Sequence, residues 1–155
     1  MASVTHEQAN LLLRLYELRR DARMREAREW FISDFSASTQ DELFKKYPPG
    51  SKENASYRMV VSYWDMCAGM VNRGLIDDEF FFENNGEVWV IYDKVKELAL
   101  SQRKAMGNPL ILKHLLELGE RFEAWREKTA PGFNANMRER FRQFAEARAR
   151  ATQKQ

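Results

Sequence analysis

Asp77, Asp78, Glu79 and Glu83 crowd into the stretch NRGLIDDEFFFENNGEVWVIYDK, residues 72–94. Four carboxylates so close together raise the chemistry of a divalent cation held by oxygen ligands. Glu79 and Glu83 are the pair to consider, because a spacing of four puts both on one face of a helix. Acids at a helix start ordinarily serve its positive end, however, and no histidine joins them as in di-iron helices. No metal is therefore assigned, and no cofactor is expected.

A second constellation is the narrow polar face Arg58, Ser62, Asp65, Gly69 and Asn72 of an otherwise apolar segment, residues 51–73. With Asp65 set against Arg58 or Arg103, such a face could line a ligand pocket. Its plain reading is the water-facing edge of a core helix. Of the two histidines, His6 and His114, the latter falls between Leu110 and Leu118 on a helix edge, where a half-buried structural role is the ordinary one. Cys67 lies on the apolar stripe and reads as a small buried hydrophobe whose thiol an apolar site would keep protonated. No CxxC, HExxH, Gly-rich phosphate loop or GxSxG elbow occurs. No catalytic residue is assigned, and the leaning is away from an enzyme.

Nucleic-acid binding has two points of entry. Asn85-Gly86 is a two-residue hairpin signal between FFFE and EVWVIY, which would make 79–92 the wing of a winged helix-turn-helix. A wing must meet phosphate with Lys or Arg. From Gly74 to Asp93 there are six acids and neither basic residue, so that surface would be repelled. The second entry is the last helix, where Arg138, Arg142, Arg148 and Arg150 are candidate contacts for RNA or an acidic partner. Its plain reading is a solvated, partly disordered end. Residues 19–28 interleave Asp21 and Glu26 with arginines and read as a salt-bridged solvated face, through Asp21–Arg25 and Arg25–Glu29. The whole chain of 155 residues carries 25 Lys plus Arg against 23 Asp plus Glu, and a net charge of +2 makes no global field for an anionic partner.

The elements that must position these groups are helical. Thr5 with Gln8 opens a long first segment carrying Leu11, Leu15 and Leu18, with Trp30 and Phe31 near its end. Thr39 with Glu42 opens a short helix stopped by PPG. In 51–73, Tyr57, Val60, Trp64, Cys67 and Val71 form one apolar stripe and Met59, Tyr63, Met66 and Met70 another, which predicts the central helix of a bundle. Gly74 predicts a left-handed helix end with Leu75 returning to Met70, Asp77 the cap of the next short helix, and Gly86 its stop. Val88, Tyr92, Val95 and Leu98 or Ala99 then face inward. Asn108 as cap and Pro109 in the first turn predict a further helix with Ile111, Leu115, Leu118, Phe122 and Trp125 inward. Met137, Phe141 and Phe144 mark a core face of the last helix, and the chain from about residue 146 reads as a frayed tail. A lone hairpin lacks a third strand to support it, which favours helices over 79–92. The expectation is one all-α domain over 1–155, an irregular bundle of about six or seven helices, with a single β-hairpin at 79–92 as the alternative.

The run MVNRGLIDDEFFFENNGEVWVIYDKVKELALSQRKAMGNP resembles a family of small bacterial proteins of unknown function. Its pattern is an apolar helix, GLID(D/E), a short aromatic-rich helix, Gly, an aromatic-bearing helix, then Arg and NP. Gly74, Leu75, Ile76, Asp77, Glu79, Glu83, Gly86, Arg103, Asn108 and Pro109 match it. The resemblance implies a mostly helical fold and no activity. Relatives often carry membrane-spanning helices ahead of this region, whereas no apolar run here approaches the ~20 residues a span needs. With a single cysteine and no basic start to a signal peptide, the expected place is the cytoplasm, with no membrane. The expected function is a non-enzymatic protein-interaction or self-associating module, using Trp30, Phe31 and Phe144 as apolar edges. The alternatives are a winged-helix-like or basic-helix nucleic-acid binder, and an enzyme with a carboxylate site near Asp65 or at Glu79 and Glu83.

Overall fold

The computed structural model describes residues 3–154; Met1, Ala2 and Gln155 lie outside the described residues. The described chain is all α, with eight helices and no strand. These are α1 (His6–Arg19), α2 (Ala22–Ser33), α3 (Gln40–Lys46), α4 (Lys52–Asn72), α5 (Asp78–Asn84), α6 (Glu87–Met106), α7 (Lys113–Thr129) and α8 (Phe133–Gln153). The chain falls into two compact units, one running to Gly119 and the other starting at Glu120.

The first unit is built on α4, which packs against α2 and α6. Tyr57, Val60, Trp64, Cys67 and Val71 are all buried, as their spacing predicts, and Val61 and Ala68 join them. The stripe beside them is only partly covered: Met59, Tyr63 and Met70 are half-buried and Met66 is 44% exposed, while full burial has turned toward Val61 and Ala68. The long first segment is two helices. Asp21 adopts an extended backbone, and its carboxylate accepts the amide hydrogens of Arg23 and Met24, so it starts α2 rather than pairing along one helix with Arg25. That restart is why there are eight helices and not seven. α2 ends in a stacked aromatic cluster, with Phe31 and Phe35 at 4.5 Å and Phe35 and Tyr57 at 5.2 Å between ring centroids.

The corner at 72–94 is built of helix ends and starts, with no strand. Gly74, at φ 76°, lets the Leu75 amide reach Met70 O at 3.0 Å and its own amide reach Val71 O at 2.9 Å, the paired bonds of a Schellman ending. Asp77 caps α5 through Phe80 N at 2.9 Å. The β-hairpin expected as the alternative at 79–92 does not form: a type I′ turn needs positive φ at both central residues, and Asn85 and Gly86 have φ −136° and −57°. α6 follows at once and buries Val88, Trp89, Ile91, Tyr92, Val95, Leu98 and Ala99. The next helix starts later than Asn108-Pro109 predicts. Asn108 Oδ1 instead accepts the Leu110 amide at 2.9 Å in a local turn, and α7 begins at Lys113 after Leu112, whose φ is 49°.

The second unit is a helical hairpin of the C-terminal part of α7 and α8. Gly132 makes its turn at φ 82°. The Arg126 guanidinium sits 4.9 Å from the Phe122 ring centre and 5.0 Å from that of Phe133, and its Nε donates to Asn134 Oδ1 at 2.6 Å. Asn134, the buried residue of α8, donates onward to Glu123 O at 3.0 Å. α8 remains helical to Gln153, through the residues expected to begin a tail at about 146.

Gly119 is fixed by close approach rather than by backbone freedom. A Cβ there would overlap the Tyr92 ring, whereas one at Gly86 would meet nothing. Gly119→Ala is expected to cost about 3 kcal/mol in urea unfolding, while Gly86→Ala leaves the midpoint unchanged or raises it.

Candidate functional site

The polar face of α4 lies against the connector between α6 and α7 and the first turns of α7. Asp65 is half-buried, and its Oδ1 accepts the Leu115 amide at 2.9 Å. Leu115 is the third residue of α7, and the C-terminal neighbour Leu116 donates to Leu112 O at 3.1 Å, which makes Leu112 the cap position. A leucine has no acceptor to offer, so Asp65 supplies one from another helix, and brings negative charge to the positive end of α7. Arg103 Nε donates to Ile111 O at 2.9 Å and holds the same connector from α6. Asn72 Nδ2 meets His114 O and Nδ1, each at 3.2 Å, and Arg73 Nη1 lies 3.1 Å from His114 Nε2. Asp65 thus pairs with a backbone amide, while Arg58 and Arg103 reach Asn54 and Ile111 O. Arg58, exposed, reaches Asn54 Oδ1 at 3.2 Å, and Ser62, also exposed, donates to Met59 O at 3.3 Å. Of the five predicted pocket residues, the structure gathers Asp65, Asn72 and Arg103 around residues 111–115 and leaves Arg58 and Ser62 bonded within α4.

The other candidates are dispersed. Glu79 and Glu83 are exposed on α5, and among the described residues no group of three or more His, Cys, Asp or Glu side chains could hold a metal ion. On α8, Arg138 pairs with Glu123 at 2.6 Å, Arg142 with Glu139 at 2.5 Å and with Glu146, and Arg150 with Glu146 at 3.8 Å; Arg148 is exposed on the same helix. Arg142 is raised further above its usual range by the hydrogen bond and charge of Glu139. A cavity of about 130 Å³ lies between α2 and α4, lined by Glu26, Trp30, Lys52, Glu53 and Ser56, with Lys52 paired to Glu26 at its edge.

Two polar centres escape a reading of spacing. Lys94 of α6 donates to Phe31 O, Ile32 O and Phe35 O at 3.0, 2.8 and 3.1 Å, closing the C-terminal end of α2 with a cation. The signal was present: Lys94 sits at the spacing of Ile91 and Leu98, a charge on an apolar face. The other centre is Glu87, which takes Arg28 Nε at 2.9 and 3.1 Å, Arg28 Nη2 at 2.7 Å and Arg19 Nη1 at 3.6 Å, with all three side chains mostly buried. Arg28 also donates to Arg19 O at 3.0 Å, the last carbonyl of α1. Beside them, Tyr63 donates to Leu15 O at 2.6 Å, and burial followed by the charge of Cys67 raises its phenol. Burial pushes the Cys67 thiol up to about 12, and the Tyr57 phenol likewise to about 12.

Residues 4–122 match the family described as a domain of unknown function (DUF4760). No curated protein and no solved structure matches the chain. No helix among the described residues is long and apolar enough to cross a membrane.

Asp65→Ala is expected to lower stability by about 1 kcal/mol, with Asp65→Asn losing less because an acceptor remains. Lys94→Met, which keeps the stem but orphans three carbonyls, is expected to cost about 3 kcal/mol. Both are read from urea unfolding. Raised acid pKa values also set a sign. Below the unfolded values of 9.0 for Cys67 and 10.0 for Tyr57 the stabilising protonated forms are complete, and between those values and about 12 the unfolded chain releases protons first. Stability therefore falls as pH rises through this window, and Cys67→Ala flattens the fall. A pH series of unfolding midpoints checks it.

Proposed function

The chain belongs to the DUF4760 family, and from that premise we propose that it is a non-enzymatic protein-interaction module of the cytoplasm, with α8 as its contact element. Membership brings no chemistry with it, and α8 lies beyond the matched residues 4–122. The observation that carries the reading is the apolar stripe of α8. Met137 and Phe141 are half-buried, and Phe144, which the spacing marks as core, is 67% exposed. Phe31, by contrast, is fully buried and gives no edge, and Trp30 is half-buried in its aromatic cluster.

An exposed aromatic on a helix surrounded by water calls for a stabilising device of another kind. Among the described residues beyond Glu139 only Phe141 is less than exposed, and a helix of that length is marginal in isolation. The ladder Glu139–Arg142–Glu146–Arg150 and the alanines at 145, 147, 149 and 151 supply local support instead. Such a helix presents Phe144 without needing it for its own fold. The reducing compartment suits the single Cys67, which is free.

Affinity capture from extracts of cells expressing the full chain tests this. A defined protein is expected to be captured by the wild type and lost with Phe144→Glu, while helicity and midpoint stay unchanged. Capture indifferent to Phe144→Glu contradicts the assignment.

A further inference from the structure

We propose that Arg19 anchors an oxyanion, the carboxylate or phosphate group of a small ligand, at the corner between α1 and α2. The inference is independent of α8. Arg19 is a mostly buried cation, its side chain 13% exposed. Its guanidinium carbon lies 5.1 Å from the Tyr16 ring centre and 5.5 Å from that of Trp64, so two aromatic rings hold the planar group in place. Its N–H donors are left over. Glu87 is the one carboxylate paired with it, at 3.6 Å and beyond hydrogen-bond reach, because Arg28 takes both Glu87 oxygens at 2.7 to 3.1 Å. Among the described residues no group accepts a hydrogen bond from the Arg19 side chain, and none of its nitrogens is fully enclosed. The edge of the guanidinium therefore opens to solvent.

Arg19 and Arg28 against Glu87 leave a surplus positive charge in a largely dehydrated place, which is costly unless it is paired and hydrogen-bonded. Nothing beside them supplies the missing negative charge. Burial raises both the Tyr63 phenol and the Cys67 thiol, so each is neutral at physiological pH. The Asp21 carboxylate, two residues along, accepts the Arg23 and Met24 amides. Arg20, exposed and also against the Tyr16 ring at 5.7 Å, adds a cation with no ion pair among the described residues. The sign of the field thus selects an anion. The fork of a guanidinium edge matches the paired oxygens of a carboxylate or phosphate, which a halide of the same charge lacks.

Side-chain NMR of the full chain tests this, with sodium phosphate and sodium acetate titrated in turn against sodium chloride at equal ionic strength. Saturable shifts of the Arg19 Nε–H and of the Tyr16 ring are expected, with phosphate if the group is a phosphate and with acetate if it is a carboxylate. Chloride is expected to give no saturation. Arg19→Lys keeps the charge but loses the fork, so the Tyr16 shift is expected to need about tenfold more anion. Circular dichroism checks that each variant is folded. Should Arg19→Lys fail to fold, Tyr16→Leu takes its place at a residue 47% exposed, and the Arg19 Nε–H is expected to saturate at severalfold higher anion. Shifts that follow ionic strength alone with both anions, or saturation unchanged by Arg19→Lys or, in its place, by Tyr16→Leu, would overturn the proposal.

Discussion

Every helix end leaves amide hydrogens or carbonyls without a partner inside the helix, and in this chain side chains from other helices close several of them beside local caps such as Thr5, Thr39 and Asp77. Lys94 of α6 takes the last carbonyls of α2, Arg28 of α2 takes Arg19 O at the end of α1, and Asp65 of α4 takes the Leu115 amide at the start of α7. Ser101 Oγ accepts the Gln40 amide at the first residue of α3, and Asn54 donates to Tyr47 O after its last. Gln8 Oε1 accepts the Asp77 amide just ahead of α5. α3 and α5 have seven residues each and are too short to persist unaided. Their ends are held by their own caps, Thr39 and Asp77, and by side chains from other helices.

That constraint decides what the polar residues are for. A carboxylate spent on a helix amide, or an ammonium spent on three carbonyls, is oriented and partly dehydrated, and removing it leaves buried backbone groups unsatisfied. The interior of the first unit is thus stapled as well as packed: the Arg19, Arg28 and Glu87 network ties α1 and α2 to the first turn of α6, beside the buried Trp64 and Cys67. α8 follows a different rule. From Glu139 onward its ion pairs run along its own length, and Phe144 stands exposed on it.

Elements whose signals are local were legible. The Thr5, Thr39 and Asp77 caps, the Gly74 ending and the inward residues of α4 and α6 follow from spacing and turn chemistry alone. The break at Asp21 was hidden because an aspartate reads equally as a cap or as half of an ion pair, and tertiary packing of α2 on α4 selects the cap. The start of α7 was hidden because Asn108 can cap a helix or close a turn, and a positive φ at Leu112 has no signature in a leucine. Of the candidate site, the residue types on the face of α4 were readable and their partners were not, since Leu115 stands 50 residues from Asp65. Lys94 was overlooked because a lone lysine between apolar residues resembles an exposed one unless its three acceptors are known.

Capping between helices predicts protection where no local cap exists. In native-state hydrogen exchange, the Leu115 amide of the wild-type chain should exchange as slowly as amides in the interior of α7, and Asp65→Ala should speed it about tenfold, the equivalent of about 1.4 kcal/mol, with Val60 and Trp64 speeded by no more than the global loss of about 1 kcal/mol requires. A Leu115 amide that exchanges at the same rate in both chains would contradict the account.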